Sequence, residues 1–216
     1  MKCPSLRELL FPSKCVLCTE LLTDRSHPLC CDCRTNLTER RKYDRKIPFA
    51  KGTAVLWSYE DQVRGSLLRF KFGRKRHYAH FYGQALADKL QREQIPFDVI
   101  TWVPVSRLRR LQRGYDQVQL IAQVLARQLG SKEIRCLRKT RNNPPQSGIV
   151  GEAQRRANVL GVYRAVNTPC FYGKRVLLLD DIITTGATIS ESAKVLMTAG
   201  AKEVYCAAIA AAKNTK

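Results

Sequence analysis

The chain has 216 residues and a hydrophobic content of 44%, which suffices for one α/β domain with a buried core and a small appendage. Its 38 basic and 18 acidic residues give a formal net charge of +20, which favours anionic partners such as phosphates or nucleic acids. Apolar stretches fall short of the roughly 18 residues of a membrane span, and the early charges are unlike a secretory signal, so we predict a cytoplasmic protein without a membrane span.

The first feature along the chain is a group of closely spaced cysteines. Two residues separate Cys15 from Cys18, and two separate Cys30 from Cys33. This spacing is that of a four-thiolate zinc site, because each Cys-x2-Cys turn lets two sulfurs converge on one tetrahedral ion. Cys31 could replace Cys30 as a ligand, and a disulfide framework is the alternative, which a reducing cytosol disfavours. We predict a structural zinc ion without an open coordination position.

The rest of the chain alternates between strand and helix patterns, which predicts an α/β fold with a mostly parallel sheet flanked by helices. We assign residues 1–46 to the cysteine module with its charged linker and residues 47–216 to the α/β domain. Ligands of such sheets bind outside the carboxyl ends of the strands. The predicted strands are 53–59, 98–105, 175–180 and 203–210, and the predicted helices are 62–72, 79–91, 117–129 and 189–197.

Basic residues form clusters, and the first lies in and after the predicted helix 62–72, where aromatic residues interleave with it. Basic surfaces with aromatic platforms bind single-stranded nucleic acid without base preference. Alternatively, the arginines bind the phosphates of a small ligand and the aromatic residues are core, and the two interpretations are compatible. The aromatic residues are Phe70, Phe72, Tyr78, Phe81 and Tyr82. The candidate nucleic-acid-binding residues are Lys71, Arg74, Lys75, Arg76, Arg109 and Arg110.

A second basic group follows the strand 98–105. We expect its arginines at the same sheet edge as the carboxyl end of strand 175–180, and guanidinium groups bind phosphate oxygens bidentately. Arg107 and Arg113 are the predicted phosphate ligands of this group. Residues 138–158 are polar, rich in Pro, Gly, Asn and Gln and without clear periodicity, which predicts a loop that ends in a short helix at 152–159.

The most informative segment is VLLLDDIITTGAT at residues 176–188. Its apolar strand ends at Asp180 and Asp181, and a turn rich in Thr and Gly leads into a helix. Carboxylates suit ribose hydroxyls and a hard metal ion, and the free N–H groups at a helix N-terminus suit a phosphate. A Walker A loop would need a Gly-Lys-Ser/Thr triplet, which this segment lacks. The pattern indicates a site for a phosphorylated sugar; a plain βα turn is the alternative.

This segment resembles the 5-phosphoribosyl-1-pyrophosphate (PRPP) motif of type I phosphoribosyltransferases. The resemblance implies that the candidate catalytic pair, Asp180 and Asp181, contacts the ribose 2- and 3-hydroxyls with Mg²⁺ nearby. It also implies that the loop surrounds the 5-phosphate and that a mobile loop, which we place at 138–158, covers the site. The phosphate-binding loop residues are Thr184, Thr185, Gly186, Ala187 and Thr188.

Four features occur in order along the chain: the paired Cys-x2-Cys motifs, Lys71, the Val-Pro-Val of 103–105 before Arg-Gly-Tyr-Asp-Gln at 113–117, and the PRPP motif. With Gln146, Arg156 and Asn158, the chain resembles the ComF family of phosphoribosyltransferase-like proteins, with ComFC-type and GntX-like members, along nearly its whole length. The family usually has Phe-Asn where this chain has Tyr115 and Asp116. A carboxylate pointing inward would weaken phosphate binding, whereas one that caps the next helix would not.

The resemblance implies a type I phosphoribosyltransferase-like fold and a role in DNA uptake and natural competence. In that role the chain would bind PRPP or a ribose 5-phosphate with Mg²⁺, bind single-stranded DNA, and act with a competence helicase or uptake complex. The alternative is a Mg²⁺-dependent phosphoribosyltransferase of a small-molecule nitrogen acceptor. Whether the chain is an enzyme stays open, because no acceptor pocket is identifiable in the sequence.

Overall fold

The computed structural model describes residues 12–213 except residue 41 and residues 144–150, so that Gln146 and part of the predicted mobile loop lie outside the described residues. A short 3-10 turn at Thr168–Cys170 adds to the regular elements. In chain order these are α1 (Cys31–Asn36), β1 (Gly52–Ser58), α2 (Asp61–Phe72), α3 (Tyr78–Arg92), β2 (Val99–Trp102), α4 (Arg107–Arg113), α5 (Gln117–Gln128), β3 (Leu137–Lys139), α6 (Glu152–Val159), β4 (Tyr163–Ala165), β5 (Arg175–Ile183), α7 (Ala187–Thr198) and β6 (Glu203–Ala211).

The central sheet is parallel and has the strand order β1-β6-β5-β2. Because helices cover both faces, β5 is apolar without alternation, as a doubly covered strand requires. Leu177 and Leu179 pack into the cluster that includes residues of α2, α3 and α5, whereas Val176 and Leu178 pack with α7 on the other face. This confirms the predicted α/β fold with a mostly parallel sheet flanked by helices.

The predicted helices and strands are confirmed, with shifted ends. The strand predicted at 98–105 stops at Trp102, and Pro104 lacks the N–H that a sheet ladder needs. The strand predicted at 175–180 continues to Ile183, so the acidic pair lies within β5. Helix α7 begins at Ala187, two residues before the predicted start at 189.

Four of the helices and strands were absent from the sequence-based prediction, namely α1, α4, β3 and β4. Helix α4 occupies a segment interpreted as a loop; the Ser106 hydroxyl accepts from the Arg109 N–H at 3.3 Å, and Gly114 ends the helix at φ 77°. Strands β3 and β4 form an antiparallel hairpin in which Lys139 pairs with Tyr163. Both strands have only three residues, too few for a period to be recognised.

The cysteine module shares its core with the α/β domain. Val16 and Leu17 are buried in the same cluster as Leu67 and Phe70 of α2. Ser66 Oγ donates to the Val16 carbonyl at 2.7 Å, which adds a polar contact between the two parts. Within the described part of the chain, no helix combines the length and apolar character needed to cross a membrane.

Candidate functional site

A cavity of about 530 Å³ opens at the carboxyl ends of β2 and β5. The end of β5, the start of α5, helix α4, the end of α2 and the β3–β4 hairpin all contribute side chains to it. Both acidic residues line the cavity, together with Thr184 and Thr188 of the phosphate-binding loop. Ligands bind at this edge in open α/β sheets, so the cavity is the candidate functional site.

Asp181 is held by two side chains from other elements. Lys71 Nζ of α2 lies 3.0 Å from both of its carboxylate oxygens. Gln117 Nε2 of α5 donates to Asp181 Oδ2 at 2.7 Å. Lys71, which the sequence analysis assigned to nucleic acid, is therefore placed as the ionic partner of Asp181. These two contacts pair and orient the side chain of Asp181 in a buried position, where an unpaired charge would be costly.

Asp180 lies beside this pair and has a different environment. Its Oδ1 accepts the backbone N–H of Asp181 at 2.8 Å. Burial, reinforced by the negative charge of Asp181 and opposed by Lys71, raises the pKa of Asp180 to about 8. The two carboxyl groups are thus inequivalent: one is fixed in an ion pair, and the other can gain or lose a proton near neutral pH.

The phosphate-binding loop joins β5 to α7. Gly186 precedes the helix at φ 80°, a left-handed conformation, and a Cβ at this position would lie 2.8 Å from Ile47 Cδ1. Thr185 Oγ1 accepts from the Ala187 N–H at 3.4 Å. Arg45 Nη1 donates to the Thr184 carbonyl at 3.3 Å, so the linker after the cysteine module contacts the loop. The N-terminal N–H groups of α7 are oriented by this turn as an anion site requires.

The arginines of helix α4 lie on two sides of the helix, one facing the cavity and one exposed to solvent. Arg109 and Arg113, one turn apart, line the cavity, whereas Arg107 and Arg110 are exposed and are not among its lining residues. The structure therefore does not bring Arg107, a predicted phosphate ligand, to the cavity, but it brings Arg109, predicted to bind nucleic acid. Arg113 Nη1 donates to Gln117 Oε1 at 3.0 Å, and burial lowers the pKa of Arg113.

The two departures from the usual family sequence have structural roles. Asp116 Oδ1 accepts from the N–H groups of Val118 and Gln119 at 3.1 and 3.2 Å and caps α5. Its Oδ2 accepts from the Val105 N–H at 3.2 Å, so the carboxylate faces backbone donors and not the phosphate region. Tyr115 is buried, and its hydroxyl donates to the Phe70 carbonyl.

The first basic cluster is exposed after Lys71. Arg74 lines the cavity, Lys75 is exposed, and the Arg76 guanidinium lies 5.2 Å from the centre of the Tyr115 ring. Four of the five interleaved aromatic residues belong to the packed interior. For these four, the interpretation as core residues holds, and not the interpretation as stacking platforms for bases. Phe72 alone among the five is exposed. The four packed residues are Phe70, Tyr78, Phe81 and Tyr82.

The sequence-based prediction did not name as site residues two polar cavity residues, Gln117 and Lys139, that contact other groups of the site. Gln117 joins Arg113 to Asp181, and only the packing of α5 against β5 brings these residues together. Lys139 of β3 also lines the cavity, with Nζ 5.8 Å from the Tyr163 ring centre. Burial and then the charge of Arg109 lower the pKa of Lys139 to about 8. Lys139 is one of four basic residues from Arg135 to Arg141, and the pairing of β3 with β4 places it at the cavity.

The four predicted zinc ligands converge in the structure. Their sulfur atoms all lie within 4.8 Å of one another, and the Sγ atoms of Cys18 and Cys30 are 3.6 Å apart. A zinc–sulfur distance of about 2.3 Å in a tetrahedral site corresponds to about 3.8 Å between sulfurs, so the donor set fits zinc. Cys31 is exposed and lies outside the cluster, which favours Cys30 as the ligand. The converging cysteines are Cys15, Cys18, Cys30 and Cys33.

Thiol acidity differs within the cluster. Although burial opposes it, backbone hydrogen bonds around Cys15, from Cys18 and Cys30 in particular, lower the pKa of its thiol to about 7. Burial raises the pKa of Cys33, whose Sγ donates to Gln62 Oε1 of α2 at 2.9 Å. A bound cation would favour the thiolate form of all four side chains, since thiolates are the metal-binding species.

Comparison with known proteins agrees with this architecture. The phosphoribosyl transferase domain model matches residues 119–216, from α5 to the end of the chain. The chain is 27% identical over 191 residues to competence protein F of Haemophilus influenzae, covering 83% of each chain. It is 26% identical over 184 residues to competence protein ComFC of Bacillus subtilis, covering 81% of this chain and 68% of that protein.

A third relative matches a shorter part. The chain is 31% identical over 116 residues to DNA utilization protein YhgH of Escherichia coli, which is 52% of this chain and 49% of the relative. The alignment therefore spans about half the length of YhgH. A phosphoribosyl transferase domain thus follows a four-cysteine module, and similarity to two competence proteins covers 81% and 83% of the chain, which together support a phosphoribosyltransferase-like protein of the ComF type.

Proposed function

We propose that the cavity binds PRPP or a related ribose 5-phosphate together with Mg²⁺, and that the chain handles single-stranded DNA in the cytoplasm during DNA uptake and natural competence. The main support for the ligand is the inequivalent acidic pair directly before the phosphate-binding loop. Asp181 is fixed by Lys71 and Gln117, and Asp180 lines the cavity. Carboxylate oxygens suit Mg²⁺ and the hydroxyls of a ribose.

Two further observations support the DNA role. The relatives named above are competence and DNA utilization proteins. The net charge of +20 supplies the electrostatic attraction on which non-specific DNA binding depends. We also expect a competence helicase or uptake complex as protein partner. The four cysteines would hold a structural Zn²⁺, which closes the module and leaves no coordination position for chemistry.

Measuring Mg²⁺–PRPP binding by calorimetry tests the ligand assignment. We expect Asp180→Asn to weaken binding at least about tenfold, because an amide replaces a carboxyl group that can ionise when it binds the metal, so the complex lacks an anionic oxygen donor. Arg107→Ala is the matched control, since Arg107 is exposed and away from the cavity lining. Equal affinity of Asp180→Asn and wild type would contradict the assignment, and so would a loss of binding confined to Arg107→Ala.

A transferase remains the second candidate because several cationic side chains line the cavity. Arg109, Arg113 and Lys139 all line it and could stabilise the charge on departing pyrophosphate. In that reaction a nitrogen lone pair forms the bond to C1 as the C1–O bond breaks, pyrophosphate leaves with the bonding electrons, and the nitrogen loses a proton. Acceptor-dependent release of pyrophosphate distinguishes this candidate from a protein that only binds PRPP.

A further inference from the structure

Phe72 differs from every other aromatic residue of the first basic cluster. Its side chain is 67% exposed at the end of α2, whereas Phe70 and Tyr82 are 0% exposed and Tyr78 is 2% exposed. Phe81 is stacked on Trp57, with the ring centres 5.6 Å apart. An exposed phenylalanine ring contributes little to the core, so the ring of Phe72 is available for contact with a ligand.

The surroundings of Phe72 give the ring a fixed orientation. The guanidinium of Arg113 lies over the ring, 5.0 Å from its centre. Arg113 is itself held by Gln117, which also donates to Asp181. The ring is thus connected to Asp181 through two side chains, Arg113 and Gln117.

Phe72 also lines the same cavity as the ribose and phosphate candidates. Arg74 lines it from the segment that follows, and it adds positive charge at this rim. A cavity of about 530 Å³ exceeds what a ribose 5-phosphate alone requires and lies in the range of nucleotide-sized ligands. An aromatic ring with cations on the rim of a sugar phosphate site has the properties of a nucleobase platform.

We propose that Phe72 stacks one nucleobase, so that the cavity accepts a complete ribonucleoside 5-phosphate. This inference rests on the proposed function, because it needs the acidic pair to bind ribose and the loop to bind the 5-phosphate. A single exposed ring beside the sugar site fits one nucleotide unit and not a row of stacked bases. The acidic pair selects a free ribonucleotide, since an internal or 5-terminal deoxynucleotide lacks the two adjacent hydroxyls.

The test compares ribose 5-phosphate with AMP, in the presence of Mg²⁺, on the intact zinc-loaded chain. We expect wild type to bind AMP more tightly than ribose 5-phosphate. Phe72→Ala should lose about tenfold in AMP affinity and leave ribose 5-phosphate affinity unchanged, because only stacking is removed. Phe72→Trp should restore AMP binding. Leu111→Ala is the control: Leu111 is 80% exposed on α4 and is not among the lining residues.

The possible results distinguish a failure of this inference from a failure of the proposed function. If neither ligand binds wild type, the proposed ribose phosphate site fails and the inference fails with it. If ribose 5-phosphate binds but Phe72→Ala leaves AMP affinity unchanged, or weakens both ligands equally, only the platform is overturned. A 5-phosphorylated oligodeoxynucleotide is tested as a further ligand. If Phe72→Ala weakens the binding of this oligonucleotide and not that of AMP, then Phe72 stacks a base of DNA and the free-ribonucleotide proposal is wrong.

Discussion

Individual residues in the cavity form one polar chain. Lys71 contacts Asp181, Asp181 accepts from Gln117, and Gln117 accepts from Arg113. Every charged member of this chain except Asp181 is positive, and the ion pairs found among the described residues include Asp181 but not Asp180. Burial and the charge of Asp181 therefore disfavour the charged form of Asp180.

The raised pKa of Asp180 makes folding stability depend on pH. An unfolded aspartate ionises near pH 4, whereas burial and the neighbouring Asp181 raise the pKa of Asp180 to about 8. Between these values the native state retains a proton that the unfolded state has released, so this group lowers stability as pH rises. We expect Asp180→Asn to raise Tm at pH 7.5 by about 2–4 °C for each kcal/mol recovered, and to leave it unchanged near pH 4.

Thermal unfolding over a pH series measures this effect, and Asp98 provides a control of opposite sign. Hydrogen bonds from Arg175 lower the pKa of Asp98 to about 2, so its contribution is present above pH 4 and is lost as pH falls towards 2. Asp98→Asn should therefore not raise Tm at neutral pH. A Tm for Asp180→Asn equal to that of wild type at pH 7.5 would contradict the strained environment of Asp180.

Among the elements, helix α2 connects the cysteine cluster to the acidic pair. At its start Gln62 contacts Cys33, and one turn further Ser66 donates to Val16. Arg69 then donates to the carbonyl of Leu17, and Lys71 reaches Asp181 near the helix end. One helix thus contacts both the four-cysteine module and the cavity, so it connects the two structurally.

Removal of the metal should therefore disturb the cavity. We expect a zinc chelator to increase hydrogen exchange in α2 and to weaken Mg²⁺–PRPP binding several-fold, because the helix loses its support at Gln62 and Arg69. Helix α7, which packs on the opposite face of the sheet, is the internal control and should keep its protection. Restored binding after zinc is added back is expected; unchanged exchange in α2 after complete zinc loss would contradict the connection.

For the whole molecule, the charge of +20 dominates long-range behaviour. Arg74, Lys75 and Arg76 are exposed together beside the cavity, whereas Lys71 is engaged with Asp181. The path proposed for single-stranded DNA therefore begins with these three residues. Because these residues lie next to the proposed ribose phosphate site, we expect ligand binding in the cavity and DNA binding to influence each other.

Changing Arg74, Lys75 and Arg76 to alanine should reduce the salt dependence of DNA binding. Each lost phosphate contact lowers the slope of log affinity against log salt by about 0.7, so the triple variant should lose about 2. Fluorescence anisotropy of a labelled oligonucleotide over a salt series measures the slope. Arg127→Ala with Lys132→Ala is the control, because both residues are exposed and neither lines the cavity. An equal fall in both variants would show that net charge, and not this path, sets the affinity.

Local chemistry alone made the motifs predictable. Asp180 with Asp181 and the four cysteines are close in sequence, so their spacing carries the structural information, and the apolar run before the acidic pair predicts β5. The sequence alone left the role of Asp116 undecided, because an aspartate before a helix can cap the helix or point to a ligand. The structure assigns it to the cap through three backbone N–H groups.

Contacts between distant segments were decided only by the tertiary structure. Lys71 and Asp181 are separated by 110 positions, and no local pattern distinguishes a lysine that pairs with a buried carboxylate from one that faces solvent. The same holds for Phe72 among its buried neighbours and for Lys139 in a three-residue strand. Sequence periodicity reports which face of an element is buried, but the partner across that face depends on how elements pack. The composition of the cavity wall is therefore a property of the folded chain.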